Sequence, residues 1–157
     1  MKYEEWEQKV PSAIKDDPLW KMTVYRQALF IGDIGWFDVC KLAQDSRTLK
    51  IAGQLYDSLG GISATIAEGY SRGSDKDQAR FYEYALGSAR EVRDWYFKSR
   101  YVLGEAVSLH RMNLTVQIIR QLLTIVPEHR GRKIREEIAH YDVISIDTLL
   151  SNVPMSD

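Results

Sequence analysis

Glu137-Ile138-Ala139-His140 carries the Glu-x-x-His spacing by which carboxylate-bridged di-metal bundles set two ligands on one helical face. Such a centre needs a second copy of the motif and further carboxylates on facing helices. His110 and His129 have no Glu three residues before them, so no metal site is expected. Cys40 lies in an apolar-rich stretch and reads as a reduced, buried thiol rather than a nucleophile. Gly60-Gly61 lacks the Lys-Ser/Thr continuation of a phosphate-binding loop and fits close helix packing better. No catalytic, cofactor-binding or metal-ligating residue is therefore assigned, and no enzyme is expected.

Three other groupings of polar and charged residues have chemistry to offer. Glu68 falls near the carboxyl end of a predicted helix, where its charge opposes the macrodipole, so Arg72 or Arg80 is expected to compensate it. Ser88 and Glu91 share a face at i and i+3 between apolar neighbours, and with Glu68, Arg72 and Arg80 they predict a buried polar network that fixes bundle register. Arg90, Arg93, Phe97 and Arg100 recur at separations of three and four, interleaving an aromatic with guanidinium groups as nucleic-acid surfaces do. Arg130, Arg132, Lys133 and Arg135 follow a predicted helix end and form a denser basic run. A plain solvated face is the alternative for the Arg90–Arg100 group, and helix-end electrostatics for the Arg130 run.

The elements that must hold these residues are helical. Asp17-Pro18 supplies a cap and a first-turn residue for a helix reaching about Ala43, with apolar positions Trp20, Val24, Ala28, Ile31 and Leu42. Gly32 and Gly35 each cost about 1 kcal/mol relative to Ala in a helix interior, which predicts a bend or close approach near Asp33. A second helix follows Asp45-Ser46, with its seam in Ala52, Leu55, Leu59, Ile62 and Ile66, and stops at Gly69. Ser74, with Asp77 three residues on, restarts a third, whose seam of Tyr82, Ala85, Ala89, Val92, Tyr96 and Leu103 is closed by Gly104. The fourth spans about Glu105 to Val126 through Met112, Val116, Ile119 and Leu123, and Pro127 is expected to end it. Four long helices with short connections predict an all-α fold: an antiparallel up-down four-helix bundle over residues 18–127. Residues 1–17 form an N-terminal extension. Residues 128–157 form a C-terminal one, with a short amphipathic helix within 133–150 and a less regular Ile144-Ser145-Ile146 segment.

Composition sets outer bounds. The chain has 157 residues, 45% of them hydrophobic and 27% charged, which suits one domain with a single core. Its single cysteine excludes an internal disulfide framework, and Met1 to Trp6 is acidic and polar where a secretory signal is basic and apolar. A cytoplasmic protein with no membrane association is expected. The net charge of −1 lacks the excess of a dedicated nucleic-acid binder, but it is unevenly spread: residues 72–135 carry +6 and the flanks −7.

The run from Gly61 through Ile66-Ala67-Glu68-Gly69-Tyr70-Ser71-Arg72-Gly73-Ser74, followed by Gly87-Ser88-Ala89-Arg90-Glu91-Val92, resembles the four-helix-bundle proteins found as reading frames in intervening sequences of bacterial large-subunit ribosomal RNA genes. The accessory variability determinant of diversity-generating retroelements is placed in the same superfamily. The similarity is greatest over about residues 49–104 and extends more weakly over 18–127. Thr65 stands where the family usually has Asn. The resemblance implies a homo-oligomer, commonly a ring of five. In the retroelement branch it also implies binding of nucleic acid and of a reverse transcriptase. The function expected is a non-enzymatic oligomeric adaptor that binds RNA or DNA, or a partner handling them. The alternative is a purely structural protein–protein interaction module, with Tyr3, Trp6, Trp95 and Tyr141 as aromatics to inspect for exposure.

Overall fold

A computed structural model describes residues 2–130 and 144–156. The described residues are helical, with no strand among them. Four long helices make the bundle: α3 (Thr23–Leu42), α4 (Leu49–Tyr70), α5 (Asp75–Leu103) and α6 (Glu105–Arg130). Successive helices pack on each other and α6 closes back on α3, as short connections between long amphipathic helices require. Before the bundle come α1 (Tyr3–Lys9), α2 (Ser12–Lys15) and a 3₁₀ turn over Pro18–Lys21, and α7 (Ile146–Ser151) follows it.

The seams predicted for α4 and α5 are buried throughout. On α3 and α6 the buried stripe includes polar residues that apolar periodicity passes over. Gln27 and Asp38 continue the α3 stripe, while Arg111 and Thr115 continue that of α6 between Val107, Leu114, Ile118 and Leu122. The predicted α6 stripe is accordingly displaced, and Met112 and Leu123 are only half-buried. Cys40 is exposed, which corrects the expected buried thiol. At 100° per residue it sits about 200° around the helix from both Asp38 and Leu42, which face the core.

Three boundaries differ from expectation. Asp17 does cap the chain, its Oδ1 accepting from the Leu19 amide at 2.8 Å, but only a 3₁₀ turn forms. That turn buries Leu19 and brings Trp20 against Trp6, and extended Met22 then separates it from α3. Pro127 does not end α6, which runs on to Arg130. The proline removes one hydrogen bond, whereas buried Val126 and the His129 ring, 5.4 Å from that of Tyr82, anchor the turn around it. Ile146, expected to be irregular, opens α7. The rest of the predicted C-terminal helix, including Tyr141, lies outside the described residues.

α3 is continuous through both of its glycines, and close approach is realised at Gly35. A Cβ there would lie 2.5 Å from Leu59 Cδ1 and 3.1 Å from the Tyr96 hydroxyl. Three helices therefore meet at one missing methyl. The N-terminal extension forms a second layer on α3: Trp6 is buried against Phe30, with ring centroids 5.2 Å apart, and its indole N–H donates to Asp33.

Candidate functional site

Helix α5 begins with a formed cap, the Ser74 hydroxyl accepting from the Asp77 amide at 3.2 Å. It is the longest helix among the described residues, and one long outer face is left over once its seam is buried. Arg100 organises the far end of that face. Its guanidinium carbon lies 4.1 Å from the centre of the Phe97 ring and 4.2 Å from that of Tyr101. Nη1 donates to the Phe97 carbonyl and Nη2 to the Tyr101 hydroxyl, each at 2.7 Å. Both rings stay open to solvent, Phe97 at 52% and Tyr101 at 83%. Lys98 lies 4.4 Å from the centre of the Trp95 ring and also pairs with Asp94, one helical turn away. Cations stacked on exposed rings can take an unstacked base on the ring face and a phosphate on the guanidinium.

Arg90 and Arg93 lie half-buried on the preceding turns of α5. Arg130 is the last described residue of α6, and its side chain lies outside what is described, as do Arg132, Lys133, Arg135 and the Glu137-x-x-His140 motif. No group of three His, Cys, Asp or Glu side chains able to hold a metal ion occurs among the described residues.

The polar motif around the α4–α5 connection is divided rather than gathered. Glu68, Arg72, Arg80 and Glu91 are all exposed. Arg72 lies 4.3 Å from the centre of the Phe81 ring, and Arg80 donates to the Tyr84 hydroxyl at 2.8 Å, so neither is placed to neutralise Glu68. Glu91 accepts a hydrogen bond from Ser58 at 2.9 Å, linking α5 to α4. Ser88 is half-buried, with its hydroxyl beside Gly61. Glu68 follows the seam residue Ile66 by two positions and so points outward, away from the core that a buried network would need.

The buried polar centre lies elsewhere. Asp38 of α3 accepts from Arg111 of α6 at 2.8 Å and 3.3 Å, from the Tyr96 hydroxyl of α5 at 3.0 Å and from Ser156 at 2.9 Å. The Asp38 and Arg111 side chains are wholly buried. The Leu149 carbonyl can only accept, so His110 Nε2, 2.8 Å away, carries the ring proton, and Nδ1 receives Arg111 Nη1 at 2.9 Å. Burial, ahead of the charge on Arg111, lowers the His110 pKa and keeps the ring neutral. Burial, reinforced by Asp38, holds the Tyr96 phenol well above its ordinary value. Sequence reasoning missed this centre; the available signal was an Asp and an Arg interrupting the apolar stripes of two different helices.

Residues 21–124 match the family model described as 23S rRNA-intervening sequence protein. The chain belongs to that family. The matched segment takes in α3, α4, α5 and most of α6, and with them Asp38, Tyr96, His110, Arg111 and the Arg100 face. The N-terminal layer and α7, including Leu149 and Ser156, lie outside it. No curated protein and no solved structure matches the chain. No helix among the described residues is long and apolar enough to cross a membrane.

Proposed function

We propose that this protein is a non-enzymatic, cytoplasmic adaptor. On this reading it assembles as a homo-oligomer, a ring of five by the resemblance of its α4–α5 motifs, and binds structured RNA or DNA through the outer face of α5. The observation that carries the reading is Arg100 held between the exposed rings of Phe97 and Tyr101, a charged and aromatic platform with no role in the core. Arg90 and Arg93 extend the basic face towards the middle of the helix, and Arg130, Arg132, Lys133 and Arg135 add the denser cationic run. Ser58–Glu91, Arg72–Phe81 and Arg80–Tyr84 are assigned to fixing α4 against α5 and the surface around their connection. The deciding experiment is titration of an RNA hairpin and a DNA duplex with the purified chain at several salt concentrations, alongside Arg100→Ala.

A protein-only interaction module is the second reading, and exposed aromatics favour it. Of those the sequence suggested, Trp6 is buried, Tyr3 and Trp95 are half-buried, and Tyr141 lies outside the described residues. Away from the Arg100 platform, the exposed aromatics include Trp36, Phe37 and Tyr56 on α3 and α4. Co-purification that recovers protein partners with no nucleic-acid absorbance supports this reading over the first.

A further inference from the structure

On the face formed by α3 and α4, a cleft of about 450 Å³ is lined by Gly32, Asp33 and Trp36 from one helix and Tyr56, Asp57 and Gly60 from the other, among further small and apolar residues. The Trp36 and Tyr56 rings meet edge to face, 5.7 Å between centroids, yet remain 52% and 49% exposed. The glycines lack an internal reason. A Cβ at Gly32 or Gly60 meets nothing within 4 Å, unlike one at Gly35, so both sit in helix interiors without serving the packing of this chain. What they leave open is the floor of the cleft.

The electrostatics specify what fits. Two carboxylates and no basic side chain line the cleft. Asp33 is turned towards the Trp6 indole N–H, whereas Asp57 meets no hydrogen-bond or ion-pair partner among the described residues. Ring faces beside a carboxylate attract a cation, and a planar guanidinium can stack on the rings and pair with the carboxylate together. Bare backbone at Gly32 and Gly60 admits a main chain close enough for the side chain to reach in.

We propose that this cleft is a docking site for an arginine-bearing segment of a protein partner, with the guanidinium stacked on the solvent-open faces of the Trp36–Tyr56 pair and paired to Asp57. The adaptor would then take protein on its α3–α4 face. This surface is separate from the Arg100 platform, so either assignment can fail alone.

The test uses the ¹⁵N-labelled full chain and a short blocked peptide alternating glycine and arginine, with the glutamate counterpart as control. Four tryptophans give four indole N–H signals. The Trp36 signal is expected to shift saturably with the arginine peptide while those of Trp20 and Trp95 hold still. Asp57→Asn and Gly60→Leu should each weaken binding at least about tenfold. Gly60→Ala should raise Tm by about 2–4 °C, since the chain itself does not need the glycine. An unmoved Trp36 signal, an equal response to the glutamate peptide, or undiminished binding by Asp57→Asn overturns the proposal. So does a change of assembly mass in the cleft variants, which would make the cleft a contact between copies.

Discussion

Arg111 Nε donates to Asp38 Oδ2 at 2.8 Å, and the two residues, 73 apart in sequence, join α6 to α3 inside the bundle with no exposure of either side chain. Tyr96 brings α5 to the same carboxylate, and Ser156 brings the C-terminal segment. One buried ion pair therefore fixes the relative placement of three bundle helices and the tail.

Breaking that pair from one side should be costly. Arg111→Ala or Asp38→Ala leaves a buried charge uncompensated and is expected to lower unfolding stability by about 3–5 kcal/mol. Replacing both, as Asp38→Leu with Arg111→Met, should cost much less, because an apolar pair needs no desolvated charge. Urea unfolding of the two single variants and the double variant measures the difference.

Acid should loosen the same centre. The folded-state pKa of His110 is lowered, so the unfolded chain binds more protons between that value and the ordinary one. The contribution is fully present above about pH 6.5 and is lost as pH falls through the lowered folded value. A protonated ring could no longer accept from Arg111, and its charge would lie against the guanidinium. Chemical shifts of His110 titrated by NMR should show the depressed pKa, and His110→Gln should flatten the dependence of stability on pH in this window.

Leu149 couples the tail to the bundle, being buried while its carbonyl holds His110. Leu149→Ala should cost about 2–5 kcal/mol if the cavity does not collapse. Ending the chain before residue 144 should in addition raise the His110 pKa towards its ordinary value, because the ring gains solvent. Thermal unfolding and the same NMR titration report both effects.

Gly35 should prove intolerant. The methyl of Gly35→Ala meets buried Leu59 and the Tyr96 hydroxyl, which is itself held by Asp38, so a loss of about 1–3 kcal/mol is expected. Tm measurements beside Gly60→Ala, which is expected to stabilise, separate packing glycines from open ones.

The α4 and α5 seams were legible because they are unbroken apolar stripes at helical spacing, and residues such as Leu55 and Val92 lie in the core as that spacing requires. Arg111 and Asp38 were not legible, since each looks like a surface residue until its partner on another helix is known. The same omission displaced the α6 stripe. Glu68 misled in the other direction: helix-end electrostatics correctly demands compensation, but solvent supplies it at an exposed site. Arg100 and Phe97 were readable as a shared face, whereas the part of Tyr101 depends on the direction of a side chain that spacing does not give.

The most direct test of the nucleic-acid assignment is fluorescence anisotropy of a labelled RNA hairpin and a labelled DNA duplex against the purified chain, from about 50 mM to about 200 mM salt. Binding to at least one is expected, with an affinity that falls steeply with salt as condensed counterions are released and a loss of about tenfold in Arg100→Ala and in Phe97→Ala with Tyr101→Ala. Binding to neither, binding indifferent to salt, or Arg100→Ala behaving as the unaltered protein would contradict the assignment.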